Sequence, residues 1–183
     1  IAFTDDDVRI DPRWLAELHA AALHEDADAF AGRILETWHT PKPRWYAPDG
    51  TYRLMDVIVR LDLGEQPVTM STAAWGANMA IRREVLERIG LFRTDLGPTA
   101  GVLRRGEDTE ICQRIAAAGG RLLYLPQAIV WHPVEPARAT RDYFLRWYHD
   151  FGRSEVQLDG VPDDAARWLG APRYLFRELA TAA

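Results

Sequence analysis

Along this chain, short apolar β-type runs alternate with segments whose apolar residues recur every three or four positions, and that alternation restricts the fold more than any other feature. "IAF" (1–3) reads as a buried strand that stops at three consecutive aspartates. "PRWLAELHAAALHE" (12–25) reads as a helix with Asp11 as N-cap, Pro12 as first helical residue, and Trp14, Leu15, Leu18 and Ala22 on one face. "DAFAGRIL" (28–35) is a second strand. "STAAWGANMAIRREVLERIGLF" (71–92) reads as strand, turn, strand entry and a short helix stopped by Gly90. "EDTEICQRIAAAGG" (107–120) is a helix ending on Gly119 and Gly120, with Ile111, Cys112, Ile115 and Ala118 turned inward. "RLLYLP" and "AIVWHP" are two short strands divided by a Pro-Gln step. Two amphipathic helices with aromatic stripes close the chain, over 140–155 and 163–179. Strands that alternate with helices predict the α/β class.

Residues 38–70 break the alternation. They are rich in Pro, Gly and aromatic residues and predict a long irregular loop, with one strand in "LMDVIVRLDL" (54–63). Loops this long are usually functional or disordered. The 183 residues suffice for a domain with a sizeable core. A net charge of −5 with dispersed basic residues argues against nucleic acid as a partner. The single cysteine, Cys112, excludes an internal disulfide framework, reads as a small core residue, and fits a reducing compartment. No apolar run approaches the ~20 residues of a membrane span. "IAF" reads as a strand rather than the apolar stretch of a leader, and the final "LFRELATAA" stops within a helical pattern. Both ends look cut, so the expectation is a piece of a longer, cytoplasmic protein, working in solution or at the inner face of a membrane.

The chemistry concentrates in two acidic constellations. In an extended stretch, residues two apart share a face, so Asp5 and Asp7 can converge with Asp6 turned away. Two carboxylates suit a hard divalent ion such as Mg²⁺ or Mn²⁺. A solvated acidic turn is the plain alternative. A phosphatase-type motif fails because position 9 is Arg9, and a calcium loop fails on Arg9 and Ile10. The second constellation is Glu107-Asp108 at a helix start, where acids also serve simply to complement the helix dipole.

Taken together in order, these pieces resemble the second half of a family 2 glycosyltransferase of the GT-A fold. Asp5-Asp6-Asp7 matches its D-x-D motif. Gly76-Ala77-Asn78 through Arg83, then Gly90 and Phe92, match its G-A-N-x-A-x-R-R and G-x-F segments. Glu107-Asp108 matches its E-D pair, and His132 a histidine that often follows the next strands. The likeness covers roughly residues 1–135, leaving 136–183 as a C-terminal helical extension. Arg93 stands where the family often has Asp, and the family's first βαβ portion, which holds the donor nucleotide, is absent.

The resemblance implies an incomplete GT-A fold and a metal-dependent, inverting transfer from a nucleotide-diphospho-sugar donor to a saccharide or lipid-linked acceptor. It implies Asp5, Asp7 and His132 as metal ligands, with Mg²⁺ or Mn²⁺ as cofactor, and Asp108 as general base. Glu107 would position the acceptor or its loop, Asp5 would also face the donor, and Gly76, Ala77 and Asn78 would line the donor sugar. A lone histidine at a strand end is otherwise most often a surface or capped residue. Arg82-Arg83 and Arg104-Arg105 fit phosphates or solvated surface equally. Trp38, Trp45, Tyr46 and Trp75 fit sugar stacking, with core packing the commoner fate. The stripe of Tyr143, Phe144, Trp147 and Tyr148 with Arg141, Arg146 and Arg153 fits either packing onto the sheet or peripheral contact with a membrane. Two rival readings stay open: a glycosyltransferase-like module that only binds a glycan or partner, and a sugar-nucleotide pyrophosphorylase of the same fold.

Overall fold

The computed structural model describes residues 1–46, 57–71, 73–97, 106–159, 167–168 and 171–172. In chain order the elements are β1 (Ala2–Thr4), β2 (Arg9–Ile10), α1 (Trp14–His24), β3 (Ala29–Trp38), β4 (Val68–Met70), β5 (Asn78–Ile81), α2 (Arg83–Ile89), α3 (Glu107–Ala117), β6 (Leu122–Val134), a 3₁₀ turn (Pro136–Arg138), α4 (Arg141–Asp159), β7 (Arg167–Trp168) and β8 (Ala171–Pro172). The α/β class stands. One sheet runs in the order β1-β5-β3-β6-β2, with β4 also paired to β6. Strands β1, β3 and β6 are parallel to one another, and β2, β4 and β5 run against them.

The core is made by the apolar side chains of these strands together with the helix faces that the sequence spacing marks. Phe30, Ile34, Met79, Ile81, Ile111, Ile115, Tyr124 and Val130 are essentially inaccessible, each aliphatic one contributing about 1.5–3 kcal/mol of burial. A second cluster joins Tyr46, Val57, Ile58 and Val134 to Phe144 and Trp147 of α4. The aromatic stripe of α4 thus packs back onto the sheet side, and it does so across position 135.

Several expectations are corrected. Asp11 does not cap α1: the helix starts at Trp14 with no side-chain cap, and the Asp11 carboxylate instead accepts from the Arg13 amide at 2.9 Å, within a turn. Leu15 is exposed, and so is Ala118, because α3 has already ended at Ala117. The strand expected at the start of 71–92 lies earlier, at Val68–Met70, pairing with Leu122–Tyr124. The two strands expected around Pro126 are one strand of 13 residues. Pro126, which lacks a backbone donor, falls where the register between β3 and β6 shifts from Gly32↔Leu125 to Arg33↔Ile129, and a bulge tolerates it there. Within 163–179 the described residues form strands rather than a helix, Arg167–Trp168 pairing with Ala171–Pro172. A two-residue gap is hairpin spacing, and Pro172 opposes a helix interior. The strand expected at 54–63 begins outside the described residues, and its described part makes a single bridge, Leu61 with Ile34. Arg104 and Arg105 also lie outside them.

Asn78 fixes the centre of the sheet. Its buried carboxamide donates to the Arg33 carbonyl at 2.9 Å and the Ala128 carbonyl at 2.8 Å, and accepts from the Trp14 indole at 2.7 Å. The carbonyls belong to the two sides of the bulge, so one side chain satisfies what the register shift leaves open. Gly32 makes this possible: a Cβ there would overlap the Asn78 amide.

Candidate active site

Between edge strand β1 and edge strand β2 stand only residues 5–8. This short segment must therefore cross the sheet from one edge to the other. β2 then pairs with the far end of β6, Arg9 opposite Trp131 and Ile10 opposite Val130, and the Arg9 guanidinium stacks 3.7 Å above the Trp131 ring. That pairing delivers the aspartates to His132. The His132 Nε2 lies 3.5 Å from Asp5 Oδ2 and 3.9 Å from Asp7 Oδ1. One ligand atom from each of the three residues falls within 4.8 Å of the others. Asp5 and Asp7 do meet, but in a turn beyond the end of β1 rather than by strand alternation.

The chemistry of the donor set follows from the histidine. His132 is only 4% exposed, and its Nδ1 lies 3.0 Å from the Pro133 carbonyl. A carbonyl only accepts, so this contact is a hydrogen bond when Nδ1 carries the hydrogen, and in a neutral ring of that tautomer the Nε2 lone pair faces the two carboxylates. Two anionic oxygens and a lone pair facing one point repel unless a cation or a proton lies among them. Both aspartates are about half exposed, so the point is open to solvent. Oxygen plus imidazole is a fitting set for Mg²⁺ or, better, Mn²⁺.

Glu36 is level with His132 across the parallel β3–β6 pair. It bonds Lys42 at 2.9 Å and faces Arg60 at 3.3 Å. Burial pushes its carboxyl up, but the Lys42 hydrogen bond and the Arg60 charge outweigh that and hold it below the usual range. No sequence signal marked this cluster, because its members come from separate segments.

The second acidic pair opens α3. Gly106, with φ +105°, turns the chain into the helix, and Glu107, Asp108 and Glu110 fill the first turn. Asp108 is more than a dipole partner. Its Oδ2 accepts from the Gly76 amide at 3.2 Å and its Oδ1 from the Thr109 amide at 2.7 Å. Burial pushes the carboxyl above the usual range, and those two amides only partly offset it. Glu107 lies against Gly97.

Gly76-Ala77 joins the two acidic places. Gly76 donates to Asp108, and the Ala77 carbonyl accepts from the Thr4 hydroxyl at 3.0 Å, next to Asp5. The third residue of that segment, Asn78, spends its side chain inside the protein, so what Gly76-Ala77-Asn78 offers outward is backbone. Arg82 is likewise committed, donating to the carbonyls of Ala27 and Glu25, while Arg83 is exposed. Trp75 packs against the main core, and Trp38, Trp45 and Tyr46 pack in or against the second cluster.

Residues 1–149 match a family model described as "Glycosyltransferase like family 2". The chain is also 26% identical over 159 residues to the succinoglycan biosynthesis protein ExoM of Rhizobium meliloti (strain 1021), a match covering 86% of this chain and 47% of that protein. The chain therefore spans about half the length of the curated relative it matches.

Proposed function

The chain belongs to the glycosyltransferase-like family 2, and on that premise we propose that it carries the metal and acceptor side of an inverting glycosyltransferase. The donor is a nucleotide-diphospho-sugar, and the acceptor is a hydroxyl of a saccharide or a lipid-linked saccharide. The observation that carries this reading is the Gly76-Ala77 junction, which ties the half-buried Asp108 to the strand end bearing Asp5.

Asp5, Asp7 and His132 are the residues that would hold Mg²⁺ or Mn²⁺. When bound, such an ion supplies Lewis-acid stabilisation to a diphosphate leaving group. The chain's own residues do the rest. Asp108 accepts the proton of the acceptor hydroxyl as that oxygen attacks the anomeric carbon from the face opposite the leaving group, which inverts its configuration. Burial strengthens it as a base, and the Gly76 and Thr109 amides fix its orientation. The backbone at Gly76 and Ala77 allows close approach of the donor sugar. Glu107 positions the acceptor or its loop.

Among the described residues no helix is long and apolar enough to cross a membrane. The outward face of α4 carries Arg141, Asp142, Leu145, Arg146, His149 and Arg153, all exposed, a mainly basic composition that suits peripheral contact with an anionic surface presenting a lipid-linked acceptor.

The test is a transfer assay at full natural length, with a panel of nucleotide-sugars and saccharide acceptors, with Mn²⁺ and with chelator. A metal-dependent product of inverted anomeric configuration supports the proposal. Retained configuration, or unchanged rate in chelator, contradicts it. Binding without transfer across the panel favours the binding-module reading.

A further inference from the structure

Helix α3 grips the segment before β5 at two points. Asp108 and Cys112 sit one helical turn apart on the same side of α3, and they accept from alternate backbone amides of that segment. The Gly76 amide bonds Asp108 Oδ2 at 3.2 Å, and the Ala74 amide bonds Cys112 Sγ at 3.4 Å. The spacings match, since two residues in an irregular stretch cover about the rise of one helical turn. One hydrogen bond alone would let the segment pivot about Asp108. Two fix its position along the helix and hence where the Gly76 amide points.

We infer that Cys112 is a positioning residue for Asp108: its sulfur holds Ala74, and thereby keeps Gly76 in place to orient the carboxylate. The inference rests on Asp108 acting as the base. Cys112 is 8% exposed and packed within the main core. Burial, with the nearby Asp108 charge adding to it, pushes the thiol up to about 11, so at neutral pH the sulfur accepts the Ala74 amide without placing a second anion beside the carboxylate. An alanine at 112 would keep α3 helical and nearly as well packed but would remove the acceptor. A serine restores an acceptor at nearly the same place.

The test reads positioning and catalysis separately, at full natural length. Amide hydrogen exchange follows Ala74 and Gly76 in wild type, Cys112→Ala, Cys112→Ser and Asp108→Asn. The inference predicts that Cys112→Ala raises exchange at both amides by about tenfold or more, while Cys112→Ser leaves both protected. In turnover with the donor found by the transfer assay, Cys112→Ala should lower kcat about tenfold with donor KM unchanged. Added to Asp108→Asn, the same change should lower kcat no further, because there is no base left to position. Cys112→Val, which fills the space without an acceptor, should behave as alanine does. Unchanged exchange at Gly76 in Cys112→Ala overturns the inference. So does an equal loss of kcat with and without Asp108, which would mark a merely structural role. Normal turnover in Asp108→Asn would instead defeat the base assignment, and the exchange result would still report on the two-point grip.

Discussion

The carboxamide of Asn78 lies where a Cβ of Gly32 would stand, so these two residues of neighbouring strands share one volume. The sheet can hold a polar side chain across its middle only because position 32 has none. This arrangement seals the bulge in β6 and sets the level of everything beyond it, including His132.

Gly32→Ala should destabilise the fold by about 2–4 kcal/mol through overpacking. Asn78→Ala should lose about 3 kcal/mol, since the Trp14 indole and the carbonyls of Arg33 and Ala128 lose their partner. In the double variant the alanine at 32 meets an emptied space, so the two losses should sum to at least about 1 kcal/mol less than additive. Urea denaturation of the four proteins measures the cycle, and strict additivity would contradict the shared-volume account.

Asp62 ties the loop after position 57 to β3. Its carboxylate meets Arg33 at 3.0 Å and 3.1 Å and Arg60 at 3.4 Å, and accepts from the Gly64 amide at 3.2 Å. Burial pushes its carboxyl up, but the Arg33 hydrogen bond and the two positive charges hold it below the usual range. A group depressed in the folded state stabilises above its unfolded pKa, about 3.9, and that stabilisation is lost as pH falls through the lower folded value. Asp62→Asn should therefore lose about 1–2 kcal/mol at pH 7, and its difference from wild type should shrink steadily below about pH 4. A difference independent of pH would show that the charge is not what matters.

The strand β1 (exposed at the sheet edge rather than buried as expected), the start of α3 and the inward set Ile111, Cys112, Ile115 are legible because each depends on near neighbours in the chain. So is the pairing of Asp5 with Asp7 as a unit. The single strand through Pro126 is not legible, because what permits a proline there is Asn78, far away in sequence, closing the bulge. Nor is the two-residue β2, which is too short for any periodicity and exists because the chain must cross the sheet. The burial of His132 against the aspartates, and the alignment of Glu36 beside it, follow from strand order, which periodicity along one chain does not encode.

The exposed face of α4 gives a prediction about surfaces. Binding to vesicles of mixed neutral and anionic lipid should exceed binding to neutral vesicles, and should weaken with salt as charges are screened. Arg141→Glu with Arg146→Glu should abolish the difference. Equal binding to both vesicle types in wild type would remove membrane contact from the account.

The acidic turn should behave as a metal site. Asp7→Asn replaces an anionic ligand with a neutral one, so Mn²⁺ binding followed by calorimetry should weaken about 10- to 100-fold. Excess Mn²⁺ should recover part of the lost rate by mass action. His132→Ala should weaken Mn²⁺ proportionally more than Mg²⁺, since imidazole suits the former. Metal affinity unchanged in both variants would leave Asp5, Asp7 and His132 as a solvated turn over a buried histidine.

The most direct test of the whole account is steady-state turnover of Asp108→Asn at full natural length. The substitution removes the proton acceptor and leaves Asp5, Asp7 and His132 in place. The account predicts a kcat about 10²- to 10⁴-fold lower with donor KM near wild type, and no recovery with added metal. It also predicts that wild-type activity falls on the acid side at a pH above the ordinary carboxylate range, because burial raises Asp108 and only the ionised form is a base. If Glu107 and Asp108 merely complement the dipole of α3, the same variant loses a few tenths to ~1 kcal/mol of stability and keeps its rate. A folded Asp108→Asn protein with near-normal turnover would contradict the assignment of the base.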